Sequence, residues 1–446
     1  MMKKYGMALL LALLLTLPAL AESPERASGY PDILMNGLCA VIREDDMVGV
    51  IDAWGNVVVP YGEYEWLGYW NDGDYIYMNR TAEGYGVLDS QGRVIVPFVW
   101  DSVGRFDSGL LPVRKDGLWG YVNNRGKVVL PCQWEAAMDF CDGAAMVNKD
   151  GLWYMIDVYG ERLMEDGWDD VDWQYQGGAI VVERNGLEGL VSMQGMELLP
   201  CEYDWIGHYS EGYWTVRKDG KYSHVNRQGK LIVPLQWSSA SEFHEGCAVV
   251  TKDGRDGCIN EMGNLITPCQ WDYMEDFSEG LAAVCLDDRY GYIDTTGTLV
   301  IPCGWEDAEP FNGGLAVVSR DGAYGVIDRS GAVVCEPQWD YIADFSEGMA
   351  YVVKDDLYGF INMRGELAIP CQWGFASSFI DGTAVVCRDM EEWSGGIGFI
   401  NVQGEMIVPG MFHWNYDYGT EYREGCYIGS VDGELYIYDR LGNRIY

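Results

Sequence analysis

Short apolar runs of three to six residues recur along this chain, each closed by turn residues, and the repeating region has no helical spacing of useful length. The stretch from Gly280 to Asn312, GLAAVCLDDRYGYIDTTGTLVIPCGWEDAEPFN, shows the pattern, and Gly314 to Ser346 repeats it. The shared skeleton is Gly, an apolar run, a two-residue turn, an aromatic and Gly, two apolar residues and Asp or Asn. After two variable residues come Gly, a second apolar run, Pro and Trp. The Asp or Asn occupies twelve positions from Asp52 to Asp439, with Ser192 the one substitute, spaced 34 or 35 apart between Asp89 and Asn362. A Gly stands three residues after each, from Gly55 to Gly442. Such a period defines a tandem repeat before any other reading is made.

Within a copy the grammar is that of strands. Residues such as Ala316 to Ser319 make a first short strand. Asp-Gly or Asn-Gly follows it in seven copies, among them Asp116-Gly117 and Asp321-Gly322, the dipeptides of a tight hairpin. The second strand, Leu118 to Asn123 in one copy, alternates, with Trp119 and Tyr121 on one face and Gly120 and Val122 on the other. Gly120 leaves room for a neighbouring backbone. Asp/Asn-x-x-Gly makes the next turn, the side chain bonding the backbone ahead and Gly taking the left-handed position. A third strand, Val128 to Leu130, is expected to end at Pro131, which has no amide to donate. The connector beyond has room for a short fourth strand near Tyr341 to Asp344.

The connector Trp recurs at Trp100, Trp134, Trp168, Trp237, Trp271, Trp305, Trp339 and Trp373, with a Phe six residues later in most copies. A lone three-stranded sheet cannot cover its own apolar face, so these aromatics are expected to wedge one unit against the next. The fold class is therefore all-β: twelve three-stranded antiparallel meanders over 37–446, in one continuous, superhelical array. Two β-propeller-like rings are the alternative, since a propeller has typically four to eight blades. The even spacing across the middle, and a first unit that starts whole at Gly37 with a last that ends whole at Tyr446, favour the array.

The units resemble WG repeats, a bacterial family of β-rich tandem repeats. Trp119-Gly120 is the literal match, and Tyr85-Gly86, Tyr290-Gly291, Tyr324-Gly325 and Tyr358-Gly359 are aromatic variants. The fourth copy departs, with Tyr154 for the strand Gly and Glu165 for the Pro, as does Glu188-Gly189, which lacks the aromatic. The resemblance implies an extracytoplasmic or regulatory interaction role and no reaction.

Composition narrows the role. The 446 residues carry a formal charge of −39, which repels nucleic acid and anionic lipid. Met1 to Ala21 has a Lys3-Lys4 start, an apolar stretch from Met7 to Leu17 and a small-residue cleavage pattern, so 1–21 reads as a secretory signal peptide. The apolar stretch is too short to span a bilayer, and no integral membrane segment is expected after its removal. Residues 22–36 read as a linker. Thirteen cysteines would suggest disulfides in a secreted chain. Yet Cys132, Cys201, Cys269, Cys303 and Cys371 share one slot after the repeat Pro, as buried apolar residues do, so mostly free thiols are expected.

No active site emerges. His208, His224, His244 and His413 fall at different offsets without metal-ligand spacing, and no nucleophile elbow or phosphate loop is present. No cofactor and no metal are expected. Binding surfaces lie where copies stop being alike, and off-repeat aromatics single out Trp66, Trp70, Tyr64, Tyr69, Trp173, Trp205 and Trp393 as contact candidates. Caps on exposed unit ends are the competing role for them. The expectation is a secreted, non-catalytic binding or scaffold protein at the cell surface whose partner is a protein or a cell-envelope glycan. An envelope hydrolase or a purely structural surface component stand as alternatives.

Overall fold

The computed structural model describes residues 31–34, 38–42, 47–52, 57–65, 75–80, 83–388, 396–412, 421–423, 426–431 and 434–439. The expected leader, 1–21, lies outside them, as does the linker up to residue 30. The linker's end differs from expectation, since Pro31–Leu34 is a strand paired with Leu38–Ile42.

The described elements are all β-strands, arranged as a tandem series of open antiparallel sheets. One regular unit comprises a two-residue connector strand, Asp307–Ala308, then Leu315–Arg320, Ala323–Asp328 and Val333–Trp339, hydrogen-bonded in that order. The fourth strand is therefore real, and it pairs forward, Asp307 opposite Ser319 of the next meander. At the amino-terminal end seven strands from Pro31 to Trp100 form one sheet, because Val57–Glu65 runs on far enough to meet Asn79.

Both hairpin turns of a unit have left-handed backbone. Asp321 and Gly322 take φ of 53° and 72°, the twist-matched two-residue turn. The restart turn does the same with Glu279 and Gly280, at 52° and 76°. The third turn is closed by the anchor residue. Asp328 Oδ1 accepts the amides of Ser330 and Ala332 at 2.8 and 3.0 Å, and Asn260 Oδ1 does the same for Met262 and Asn264. The turn amides use one acceptor oxygen, which Asp and Asn both supply, and so the two interchange. Ser192, whose shorter side chain bonds only the Met196 amide in this way, at 3.1 Å, is the weaker substitute.

The third strand does not stop at proline. It runs through Pro131 to Trp134, because the ladder shifts register between Trp119 and Tyr121 and the proline lies in that irregular stretch, where a missing amide is tolerated. The strand Gly makes this approach possible. A methyl at Gly120 would lie 2.6 Å from the Leu130 oxygen and the Cys132 nitrogen. Between residues 83 and 412 two units carry a side chain there, Tyr154 and Ser223, and in both the third strand is reduced to isolated bridges, among them Ile156 with Arg162 and Val225 with Leu231. Pro234 is present in one and absent from the other, so the glycine decides the pairing, not the proline.

The connector tryptophans are buried, from Trp100 to Trp373. Trp305 shares a cluster with Phe311, Ala316, Val318 and Ile327 of the following unit, the wedge expected of it. Hydrogen bonds between units run from one to the next, as from Tyr175 Oη to the Asp139 carbonyl at 3.1 Å, 36 positions away. The eleven cysteines of 83–388 are free, five of them buried.

Candidate functional site

Of the seven contact candidates, Trp66, Tyr69, Trp70 and Trp393 lie outside the described residues. Tyr64 is 4 % exposed and packs its ring 5.3 Å from Phe98, which places it in the core of the amino-terminal sheet. Trp173 is 62 % exposed and meets Trp153 edge-on at 5.3 Å, beside a hollow lined by Phe106, Asp139 and Tyr175. Trp205 is 38 % exposed and faces Tyr222 at 6.3 Å. These two do not converge: Trp173 belongs to one hollow and Trp205 to another.

Trp205 is less irregular than its sequence context suggests. It occupies the connector-strand slot, where other units have Tyr273, Tyr341 or Phe375. The next slot along is the aromatic before the strand Gly, and the two alternate every 17 residues: Glu188, Trp205, Tyr222, Ser239, Asp256, Tyr273, Tyr290, Asp307, Tyr324, Tyr341, Tyr358, Phe375. Each unit thus contributes two residues to one row along the array. A strand-two aromatic meets the aromatic of the following connector at Tyr324 and Tyr341 (6.0 Å) and at Tyr358 and Phe375, and that of the preceding connector at Tyr222 and Trp205. Where the strand-two slot is acidic it caps the next connector: Asp256 Oδ2 accepts the Met274 amide at 3.2 Å, and Glu188 Oε2 the Ile206 amide. The spacing within the row is half the repeat length.

Around Trp205 the row opens into a pocket of about 310 Å³, lined by Asp170, Asp172, Glu183, Glu188, Trp205 and His208 among others. Burial raises the pKa of the Glu188 carboxyl, the Ile206 amide opposes this, and Glu183 and Asp172 add to the rise. His208 Nδ1 stands 2.9 Å from Gln176 Nε2, and Gln176 Oε1 accepts the Tyr209 amide at 2.7 Å. The result is an aromatic wall facing like charges, chemistry suited to a cationic group.

A second device binds the units together. The carboxylate of Glu211 accepts the amides of Glu245 and Gly246 at 2.9 and 2.7 Å. Glu245 then accepts those of Glu279 and Gly280, and Glu279 those of Gly313 and Gly314. Ser210, Ser278 and Ser346 hydroxyls donate to the Phe243, Phe311 and Phe379 carbonyls of the next unit. The Ser-Glu-Gly restart is an interlock, and its sequence signal is the Glu before the restart Gly at Gly212, Gly246, Gly280 and Gly348.

Of the histidines, His224 is fully buried and its Nε2 lies 2.7 Å from the Ser241 carbonyl. It stands where Tyr121 and Tyr292 donate to carbonyls 17 residues on, so its role is packing. Among the described residues no group of three His, Cys, Asp or Glu could hold a metal, and no helix is long and apolar enough to cross a membrane.

No curated protein matches the chain. Among solved structures, BamB from Moraxella catarrhalis is 13 % identical, covering 51 % of this chain and 80 % of its own, with a TM-score of 0.29. PorZ, a surface component of the type-IX secretion system of Porphyromonas gingivalis, is 8 % identical over 93 % of this chain and 72 % of its own, at 0.25. The extracellular domain of a hybrid two component system from B. thetaiotaomicron is 10 % identical over 93 % and 69 %, at 0.24. At such scores these likenesses carry no argument about function. The family profile described as WG containing repeat matches at 85–119, 119–153, 189–222, 225–255, 257–290, 290–322, 324–358 and 358–389, more than half of the chain. Seven of the eight matches begin within two residues of the second-strand aromatic slot that builds the row, and with them the chain belongs to the family of WG containing repeats.

Proposed function

We propose that this chain is an extracytoplasmic, non-catalytic binding scaffold, carried across the membrane by the leader expected at 1–21, whose partner is a protein or a cell-envelope glycan. The observation that carries the reading is the Trp205 pocket, where an exposed indole faces Asp170, Asp172, Glu183 and Glu188 at a point where the WG pattern lapses. A Lys or Arg side chain of a protein partner supplies the cation such a pocket takes. Trp173, and Trp66, Tyr69, Trp70 and Trp393, are further contacts under the same reading.

The test is capture from a fractionated cell envelope, proteins and peptidoglycan separately, on the full chain and on Trp205→Ala with Glu188→Gln. Loss of capture at an unchanged melting temperature is expected. Hydrolysis of a reporter glycoside or peptide by the purified chain would instead establish the hydrolase.

A further inference from the structure

The row of half-repeat slots is acidic or small at Glu188, Ser239, Asp256 and Asp307, but from Tyr324 to Phe375 every slot is aromatic. Ring centroids there follow one another at 6.0 Å from Tyr324 to Tyr341 and 5.9 Å from Tyr358 to Phe375. Between them lies Tyr351, 5.9 Å from Tyr341 and 5.6 Å from Tyr358. Tyr351 is itself a departure. The same first-strand position holds Ala283, Val317 and Val385 in neighbouring units. The larger ring is half-buried and bridges the two slots, and Tyr341 is exposed. Five rings therefore form an unbroken strip from Tyr324 to Phe375, across three consecutive sheets.

We infer that this strip is the seat of an uncharged polysaccharide chain. The inference rests on the reading of the protein as a binding scaffold but not on the Trp205 pocket. Tyrosine rings offer flat apolar faces for the C–H faces of sugar rings, and their hydroxyl tips exchange hydrogen bonds with sugar hydroxyls. A narrow line of rings suits a linear chain. Charge selects within that class. The chain carries −39, and the nearby cation, Lys354, is engaged by Asp340 at 3.3 Å and the Gln338 carbonyl at 2.8 Å. The Arg320 and Arg388 guanidiniums, at the equivalent positions of the adjoining units, lie over the Trp305 and Trp373 rings, so an anionic glycan meets repulsion and, among these described cations, none that stands apart. A cationic peptide is better served by the slots that keep Glu188, Asp256 and Asp307, whereas these four slots have exchanged the acid for a ring.

The test is affinity electrophoresis of the full chain in gels containing a neutral β-glucan, a neutral α-glucan, a mannan or anionic polygalacturonate. The variant Tyr341→Ser with Tyr351→Val uses residues that other units carry in these slots, Ser239 and Val317, so the fold is kept; melting temperature checks this. Retardation is expected in at least one neutral gel and not in polygalacturonate, falling by about tenfold in affinity for the double variant. Absence of retardation in every neutral gel, or retardation that ignores the tyrosines, overturns the inference. So does tyrosine-dependent binding of a polylysine probe in place of glycan. If no neutral glycan binds while an envelope protein is captured through Trp205, the strip fails and the scaffold reading stands.

Discussion

Gly291 lies against the backbone of Ile301 so closely that a methyl group on it would stand 2.4 Å from the Ile301 carbonyl oxygen. The same approach recurs at Gly325 with Cys335 and at Gly359 with Ile369. The glycine after the aromatic is therefore what admits the third strand to the sheet.

Gly291→Ala is expected to cost about 1–3 kcal/mol, the usual cost of overpacking, and to free the amides of 299–305 for exchange. The reverse change is the stronger test. Ser223→Gly should restore a regular third strand around 231–237, where only bridges at Leu231 and Trp237 now remain. Hydrogen exchange on those amides checks it. Unchanged protection there would show that something other than the Ser223 side chain holds the strand off.

The tandem repeat of antiparallel strands and the buried wedge were legible in the sequence, because each rests on local chemistry: Asp-Gly turns, alternation, and a tryptophan at a fixed offset. Pro131 misled, since a missing amide ends a regular ladder but fits an irregular one, and the irregularity depends on Gly120 eleven residues earlier. The row from Glu188 to Phe375 was hidden for a different reason. Its slots come alternately from two strands, so copies aligned on the anchor Asp or Asn place its halves in separate columns. Tyr64 looked like part of an aromatic contact loop because aromatic density does not reveal which rings face the core.

The glutamate interlock fixes how one unit sits on the next. Glu245→Ala removes the acceptor of the Glu279 and Gly280 amides, both bonded at 2.7 Å or less. The expected loss is about 1 kcal/mol at that joint, since the group is exposed and water replaces it. Glu245→Gln keeps one acceptor oxygen and should lose about half as much. Faster exchange at Glu279 and Gly280, with Glu245 and Gly246 unaffected, is the signature.

Acid should act through His224. Burial holds its pKa below the ordinary 6.5, with the hydrogen bond to the Ser241 carbonyl opposing the shift. A folded pKa below the unfolded one means that the neutral form is favoured by folding. The contribution is complete above pH 6.5 and is lost as pH falls through the folded value. His224→Tyr, which copies Tyr121 and Tyr292 in the same slot, should keep the carbonyl hydrogen bond and flatten the stability curve below pH 6.5. Parallel curves for the two proteins in urea would place the acid sensitivity elsewhere.

Trp305 tests whether the array is coupled only between neighbours. It is 5 % exposed, shares its cluster with Ala316, Val318 and Ile327 of the next unit, and carries the Arg320 guanidinium 4.0 Å above its ring. Trp305→Ala should cost roughly 3–5 kcal/mol, the range for a buried tryptophan. Because the wedge reaches one joint, the loss should fall on the two units that meet there, around 281–305 and 315–339, as partial unfolding. Hydrogen exchange should show those amides opening while 110–157 keep their protection. Even loss of protection over the whole of 83–388 would mean that the units fold as one cooperative block, and that the neighbour-only coupling read from the wedge and the interlock is wrong.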